Sequence, residues 1–380
     1  MKQDINRKIM NMTKITASLR LRTVGVACLL ALTCLSALAQ GNSDKHEVVF
    51  AQSNLVSNIP GAAQLTDPDM TNAWGTAFSA TSPFWINDNG TGVATLYTVT
   101  NDSSGVAHVT KSSLVVTRPG EGNPTGLVFD GNGSFNGDVF LFVSEDGTVS
   151  GWRPALGTAA EVLTTRDTAV YKGAALAMTK GGPVLLAANF AEATLDAFGL
   201  NSSGNFALLA QFSDPRAPAG FAPFNIREIK NSFFVTFALQ NAEKHDDVAG
   251  PGNGLIDVFN TVNGKFVRFA TGSNAGGNLN AINSPWGLAL APKSFGQNAD
   301  RILVGNFGSG TIMTFNGGGQ FGGFLEGTDG LPLVIDGLWS LTFGNGGSGG
   351  VPDTLYFTAG PNGESDGLFG MLTPVVMQKK

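Results

Sequence analysis

The sequence has two cysteines and three histidines among its 380 residues. Both cysteines, Cys28 and Cys34, lie in the first 39 residues. A chain without that segment can form no disulfide, so its stability must come from burial and strand pairing. Three histidines make a multi-histidine metal site hard to build. No H-E-x-x-H or Walker A motif occurs, which removes the usual signatures of zinc proteases and P-loop NTPases.

A single long apolar run occurs near the N-terminus. It covers residues 24–39, ends in Ala37-Leu38-Ala39, and follows six basic residues. This pattern predicts a secretory signal peptide over residues 1–39, with the remaining domain at 40–380. The run is shorter than the roughly 20 residues that a membrane-spanning helix needs. We therefore expect a secreted or periplasmic protein that has no membrane attachment after cleavage.

The charge balance narrows the choice of partners. Removal of residues 1–39 leaves 17 Lys and Arg against 28 Asp and Glu, a net charge of −11. A field of this sign repels phosphate backbones and anionic lipid surfaces. We therefore expect no nucleic-acid partner and a monomer that binds a small molecule, a glycan or a protein.

The sequence contains an internal repeat. One unit reads S-P-W-G-L-A-L at 284–290, R-I-L-V-G-N-F-G-S-G at 301–310 and T-I-M-T-F-N at 311–316. Each segment has the composition of a short strand, and glycines mark the turns. The same order occurs six times, with spacings of 51, 47, 52, 62 and 53 between equivalent positions. Those positions are Gly75, Gly126, Gly173, Asn225, Gly287 and Ser340.

A period of about 50 residues with about four short strands per unit is typical of β-propeller blades. The six units therefore predict an all-β, six-bladed β-propeller. The last unit has only three strands, and residues 46–56 supply a matching fourth. We expect this N-terminal strand to close the last blade, because pairing there removes an open sheet edge. The alternative, a pair of β-sandwiches, leaves the period unexplained.

The segments P-W-G-L-A and I-L-V-G-N-F-G-S-G-T-I-M-T-F resemble an NHL-type propeller repeat. Together with K-H-D-D-V-A-G-P-G-N-G, D-G-L-W-S-L and L-Y-F-T-A-G-P, they make the chain similar to a family of uncharacterised secreted bacterial propeller proteins. The resemblance implies the fold and transfers no activity. Some members carry a PEP-CTERM sorting tail, which this chain lacks, so surface sorting is not implied.

The fourth repeat is the longest because of residues 240–254, which carry a cluster of charged side chains. In a propeller, the loop between the second and third strands of a blade opens on the same face as the connections between blades. We therefore predict that Lys244, His245, Asp246 and Asp247 bind a ligand near the mouth of the central channel. The alternative is a solvated loop with a Lys244–Asp ion pair of about 0–1 kcal/mol.

Every repeat places Asp, Asn or Glu on this same face. Such oxygen ligands suit Ca²⁺ better than Zn²⁺. The hypothesis of a calcium site takes as its ligands Asp88, Asp146, Asn189, Asp246, Asn306 and Asp336. His245 is then the candidate catalytic base, since an unperturbed imidazole titrates near pH 6.5. The alternative is that these residues are turn formers, because Asp and Asn stabilise tight β turns by bonding to nearby backbone.

Tryptophan recurs at one repeat position, in Trp74, Trp286 and Trp339. Packing between sheets explains these side chains without a ligand. If they instead line the channel, they offer rings on which sugars could stack.

Two functions follow from these features. The first is a non-catalytic binding module that uses the channel face. The second is a Ca²⁺-dependent hydrolase of the lactonase or esterase type, because six-bladed lactonases related to the senescence-marker and paraoxonase groups resemble this chain in architecture. The sequence leaves open whether the protein is an enzyme.

Overall fold

The computed structural model describes residues 46–120 and 122–378. Regular structure in this part is β-strand, apart from 3-10 helices at Pro154–Leu156, Ser273–Ala275 and Gly296–Asn298. None of the helices found there has the length and apolar character needed to cross a bilayer. The predicted signal peptide at 1–39 lies outside the described residues, so its existence and the domain bounds 40–380 stay predictions.

The strands form six mainly antiparallel sheets arranged as a six-bladed β-propeller, as the repeats predict. The described residues begin with β1 (His46–Ser57) and the short β2 (Leu65–Thr66), which pairs with β1 in parallel. Five blades then follow, each of four consecutive strands: β3 (Ala73–Ala77), β4 (Phe84–Asp88), β5 (Val93–Asn101) and β6 (Ala107–Thr117) in blade 1; β7 (Pro124–Phe129), β8 (Phe140–Ser144), β9 (Thr148–Trp152) and β10 (Glu161–Thr165) in blade 2; β11 (Tyr171–Thr179), β12 (Gly182–Asn189), β13 (Thr194–Leu200) and β14 (Phe206–Phe212) in blade 3; β15 (Phe221–Ile229), β16 (Ser232–Leu239), β17 (Leu255–Asn260) and β18 (Lys265–Thr271) in blade 4; β19 (Pro285–Leu290), β20 (Ile302–Asn306), β21 (Ile312–Phe315) and β22 (Phe321–Phe324) in blade 5.

Blade 6 joins the two ends of the chain. It contains β23 (Leu338–Phe343), β24 (Leu355–Ala359), β25 (Leu368–Gln378) and, as its fourth strand, β1. β1 pairs antiparallel with β25 along its length, from His46 opposite Gln378 to Ser57 opposite Leu368. The predicted closure of the ring by the N-terminal strand is therefore confirmed.

The first strand of each blade lies nearest the axis, and small residues allow these strands to approach one another. A Cβ atom on Gly75 would overlap the carbonyl oxygen of Thr125 in blade 2, and one on Gly126 would lie 2.7 Å from the amide nitrogen of Ala174 in blade 3. The repeated glycine is therefore required by close backbone approach. In blade 4, Asn225 holds this position and donates a hydrogen bond across to the next blade.

Large side chains fill the space between neighbouring blades. Trp85 of blade 1 stacks on Phe140 of blade 2 with ring centroids 4.0 Å apart. Phe84 packs on Tyr356 of blade 6 at 4.8 Å. Every residue of β4, β8, β20 and β24 is buried, as expected of strands covered on both faces. This packing fixes the blade ends, and thereby the loops that form the site.

Candidate binding site at the loop face

The face that carries the loops between second and third strands is called the loop face here. Just beneath it, aromatic side chains fill the channel. Trp74 stacks on Trp339 with ring centroids 3.7 Å apart, and Trp286 meets Trp74 edge-on at 6.4 Å. The three rings come from blades 1, 6 and 5 and are 1–4% exposed. We call them the tryptophan layer. Their burial agrees with a packing role, but the rings fill the channel instead of the space between neighbouring sheets, and none of the three is exposed for stacking on a sugar.

Blade 3 has a lysine at the repeat position where three other blades have tryptophan. Lys172 directly precedes the axial Gly173, as Trp74 precedes Gly75. Its side chain is 2% exposed, and its Nζ lies 5.2 Å from the centroid of the Trp74 ring. This geometry is a cation–π contact between blades 3 and 1, which are separated by blade 2. The ammonium group therefore lies near the axis, above the tryptophan layer.

Two carboxylates from different blades neutralise this buried charge. Lys172 Nζ donates to Oε1 of Glu145, at the end of β8, in a short contact, and lies 3.5 Å from Asp246 Oδ1. Burial lowers the pKa of Lys172, but the charge and hydrogen bond of Glu145, aided by Asp246 and Glu364, leave that pKa above its ordinary value. The amine is therefore held as an ammonium ion, which cannot act as a nucleophile.

Hydrogen bonds extend this ion pair into a continuous chain around the axis. Asn89 Nδ2 donates to Glu145 Oε2 at 2.9 Å, and Asn72 Nδ2 donates to Asn89 Oδ1 at 3.2 Å. Asn72 Nδ2 also donates to Glu364 Oε2 at 2.7 Å. With Lys172, these side chains link blades 6, 1, 2 and 3. We call this hydrogen-bonded set the polar arc. It continues to blade 4 through Asp246.

The loop between β16 and β17 brings the predicted cluster to the end of the polar arc. Asn241 organises the loop, since its Oδ1 accepts hydrogen bonds from the amides of His245 and Asp246 at 3.0 and 3.3 Å. His245 Nδ1 lies 2.8 Å from Asp246 Oδ1. Lys244 is exposed, with φ at 58°, and makes no ion pair with a described residue. The partner of Asp246 is therefore Lys172, and the expected Lys244–Asp ion pair is not found.

Negative charge exceeds positive charge at this site. Glu145, Asp246, Asp247 and Glu364 surround one lysine. Burial is the main cause that raises the pKa of Asp247 and of Glu364, and repulsion from other carboxylates of the group adds to it. Oδ2 of Asp247 is buried and has no hydrogen-bond partner among the described residues. The site therefore favours an incoming positive charge.

The structure does not gather the six predicted calcium ligands into one group. Asp88, Asn189 and Asn306 each hold the last position of a second strand and bond within their own blade. Asp88 Oδ2 accepts from Thr95 Oγ1 at 2.6 Å, and Asn306 Nδ2 donates to Thr311 Oγ1 at 3.0 Å. Asn189 Nδ2 donates within blade 3, to the carboxylate of Asp196 at 3.1 Å. These contacts join side chains across the turn, whereas the turn-forming alternative expects bonds to nearby backbone. Asn189 makes such a bond as well, since its Oδ1 accepts the amide of Glu192 at 3.2 Å.

The remaining candidates differ in position. Asp336 is exposed and accepts the amide of Asn362 at 2.8 Å, while Asp146 accepts the amide of Thr148 at 3.0 Å. Asp246 belongs to a set of three possible metal ligands, with Glu145 and His245, whose ligand atoms all lie within 4.8 Å of one another. Calcium binding by the six residues stays a prediction.

Sequence reasoning placed Lys172 and Glu145 on this face but did not select them as the centre of the site. The signal for Lys172 was present: a lysine stands where Trp74, Trp286 and Trp339 stand in other repeats. Its partners carry no such signal, because Glu145 is 27 residues away and Asp246 is 74 residues away.

Solved structures confirm the fold. A streptogramin B lyase structure superposes with a TM-score of 0.51 at 12% identity, covering 86% of this chain and 98% of that chain. A structural genomics protein of unknown function from Bacteroides thetaiotaomicron gives 0.50 at 10% identity, covering 87% and 77%. At such identities the likeness concerns the fold alone.

Sequence comparison adds viral relatives. No protein-family model matches the chain. "Uncharacterized protein R648" of Acanthamoeba polyphaga mimivirus is 30% identical over 346 residues, which are 84% of this chain and 78% of that protein. "Uncharacterized protein L690" of the same virus is 29% identical over 344 residues, or 84% of each. The expectation of a bacterial family is not supported by these relatives. The chain belongs to the β-propeller family that includes the mimivirus protein R648.

Proposed function

We propose that this propeller is an exported, non-catalytic binding module that receives a positively charged group at its loop face. The carrying observation is that the carboxylates of Asp247 and Glu364 lie near the axis in addition to those of Glu145 and Asp246, which already share the one charge of Lys172. A bound cation would relieve the repulsion among them.

The arrangement favours binding over catalysis. Lys172 is held as an ammonium ion, and Glu145 is engaged by Lys172 and by Asn89. His245 is oriented by Asp246, but no serine, threonine or cysteine hydroxyl or thiol pairs with it among the described residues. A hydrolase of the serine or cysteine type needs such a nucleophile and base pair.

The chemistry of the ligand follows from what surrounds the site. Sugar recognition by stacking has no support, because the tryptophan layer is covered and no aromatic residue is among the strongly exposed apolar side chains of the described chain. An amine of a small molecule, or a Lys or Arg side chain of a partner protein, suits the carboxylates better.

Binding of matched probes tests this proposal. We expect 1,5-diaminopentane to raise the melting temperature of the full chain more than 1,5-pentanediol does, and added salt to weaken the effect. Asp246→Asn should reduce the shift. Asp300→Asn is the matched control, since Asp300 also pairs with a lysine, Lys230 at 3.6 Å, but lies in the β19–β20 loop on the other face. Equal shifts for the diamine and the diol would contradict the proposal.

A second candidate function is the Ca²⁺-dependent hydrolase. It is favoured by the grouping of Glu145, His245 and Asp246, and His245 would then act as base. The ammonium of Lys172 opposes it, because a metal ion bound to Glu145 and Asp246 would have to replace this cation. A ligand set of two carboxylates and one imidazole suits Zn²⁺ as well as it suits Ca²⁺.

Metal analysis separates the two functions. The second candidate requires one metal ion per chain, a lower melting temperature after chelation, and lactone or ester hydrolysis that His245→Ala abolishes. The binding module requires none of these. A metal-free protein without hydrolysis would rule out the hydrolase, and metal-dependent turnover lost in His245→Ala would rule out the non-catalytic module.

A further inference from the structure

A second concave site lies on the face opposite the loop face. It is a cavity of about 280 Å³ on the axis, beneath the tryptophan layer. The first strands of all six blades line it. Each strand contributes two or more residues. One from each strand is named here: Thr76, Leu127, Ala175, Arg227, Leu288 and Leu341. Polar and apolar atoms share its exposed walls almost equally, so the cavity can meet both the charged and the apolar part of a small molecule.

Arg227 is the cationic group of this cavity, and its side chain reaches from one blade to the next but one. It extends from β15 of blade 4 to β23 of blade 6, past blade 5. Its Nη1 donates to the carbonyl oxygen of Leu341 at 3.1 Å, and its Nη2 donates to Thr342 Oγ1 at 3.2 Å. These two bonds fix the plane of the guanidinium group within the cavity.

No carboxylate neutralises Arg227. Within residues 46–120 and 122–378, no Asp or Glu oxygen lies within 4.0 Å of its side-chain nitrogens. Arg153, Arg166 and Arg268, by contrast, pair with carboxylates at 2.6–2.8 Å. Burial lowers the pKa of Arg227, and no carboxylate opposes that effect. Glu228 follows it in β15 at the cavity rim and is exposed. Arg227 is half-buried, so its guanidinium charge is partly desolvated and has no carboxylate counterion.

Hydroxyl groups and apolar walls define the rest of the ligand's chemistry. Thr76 Oγ1 and Ser340 Oγ form a hydrogen bond of 3.2 Å in the cavity wall, and Ser340 Oγ also bonds to Thr358 Oγ1 at 2.8 Å. Because each hydroxyl has one hydrogen, a ligand oxygen can accept from Thr76 Oγ1 only if that hydrogen turns away from Ser340. Ala174 and Leu176 line the cavity and are half-buried, so they offer apolar surface nearby. A guanidinium fork suits the paired oxygens of a carboxylate, while the small volume excludes large ligands.

We propose that this cavity binds a small organic carboxylate with a compact apolar body, whose two oxygens face Arg227. The site is independent of the function proposed for the loop face, because the tryptophan layer separates the two and the favoured charges are opposite.

Titration calorimetry on the full chain tests this site with benzoate and hexanoate, and with benzamide as the neutral match to benzoate. We expect both carboxylates to bind, and benzamide to bind at least tenfold more weakly. Arg227→Met should remove the difference between benzoate and benzamide. The control is Arg216→Met, which changes a half-exposed arginine that pairs with Asp214 at 3.2 Å, away from the cavity. Binding in this control should equal that of the unaltered chain.

A second variant covers the case in which Arg227→Met fails to fold. Ala174→Leu keeps Arg227 and adds bulk at a half-buried position of the cavity wall, so it should block benzoate. Asp246→Asn should leave benzoate binding unchanged, which separates this site from the loop face. Absence of binding by both carboxylates would overturn the proposal, as would equal binding of benzoate and benzamide. Benzoate binding that persists in Ala174→Leu would likewise show that the cavity is not the site.

Discussion

The ammonium nitrogen of Lys172 lies 3.5 Å from Oδ1 of Asp246, although the two residues are 74 positions apart and belong to different blades. On the other side the same nitrogen contacts Glu145 of blade 2. One lysine therefore links three consecutive blades near the axis. A metal ion was one of the ligands expected at this face. This relationship makes stability, as well as binding, sensitive to the site.

Lys172→Met should destabilise the protein by about 3–5 kcal/mol, because it leaves the buried Glu145 without its cation. The double variant Lys172→Met with Glu145→Gln should recover much of this loss, since no uncompensated charge then remains. Urea unfolding measures both. Lys230→Met changes an exposed ion pair and should alter stability by no more than about 0.5 kcal/mol. A Lys172→Met protein as stable as this control would refute the importance of the buried pair.

Gly75→Ala should destabilise the propeller by about 1–3 kcal/mol or more, because the new methyl group meets the backbone of Thr125, which cannot move without shifting blade 2. Gly181→Ala provides the comparison: its new Cβ would have Thr179 Oγ1 as nearest atom at 3.6 Å, an ordinary contact. Thermal unfolding of both variants decides the matter. Similar melting temperatures would mean that the first strands are packed less tightly than described.

Phe50→Ala should cost about 3–5 kcal/mol, because Phe50 of β1 is 1% exposed and packs on Phe295 with ring centroids 4.8 Å apart. The loss would fall on the strand that closes the ring. Val106→Ala is a suitable control, since Val106 is 53% exposed. Urea midpoints give the difference, and an unaffected Phe50→Ala protein would argue against closure by β1.

The pH dependence of stability should carry a contribution from Asp88. Burial raises the pKa of its carboxyl group well above the ordinary value, despite the hydrogen bond from Thr95. The folded state then keeps a proton that the unfolded state, with a pKa of about 3.9, has lost. The unfolding free energy should therefore fall as pH rises from about 4 toward the folded-state pKa. Asp88→Asn should reduce this fall.

Urea unfolding at several pH values checks the Asp88 prediction. Asp102 serves as a control of opposite sign: hydrogen bonds from Ser104 and His108 lower its pKa, so its contribution is lost as pH falls. Asp102→Asn should not flatten the fall that Asp88 produces. Identical pH profiles for the unaltered chain and Asp88→Asn would contradict the assignment.

The fold could be predicted from the sequence because each repeat contains the physical reasons for its own structure. Glycine recurs at the position of Gly75 and Gly126, where the backbones of neighbouring blades touch. Short apolar segments recur where the blades pack on each other. The closing strand could also be predicted, because the sixth repeat has only three strands and residues 46–56 supply a fourth. These features are local, and the repetition makes them easy to recognise.

The site could be predicted only in part. The loop face and the cluster at Asp246 followed from topology, but the role of Lys172 depends on how far its side chain reaches from one blade into the centre. The cavity at Arg227 was not found at all, since only three-dimensional packing shows which ends of the first strands face the axis and that no carboxylate accompanies the arginine. The residues in such contacts lie at separations in sequence that the period of the repeat does not determine.

The pairing of β1 with β25 also has a consequence for the order in which the protein is made. Among the described strands β1 is synthesised first, yet its partner β25 is the last of them. Blades 1 to 5 have all their strands as soon as each has been synthesised, whereas blade 6 must wait until β25 has been synthesised. The ring therefore cannot close in a chain that lacks β25. Such a truncated chain leaves both β1 and β24 with an unpaired edge.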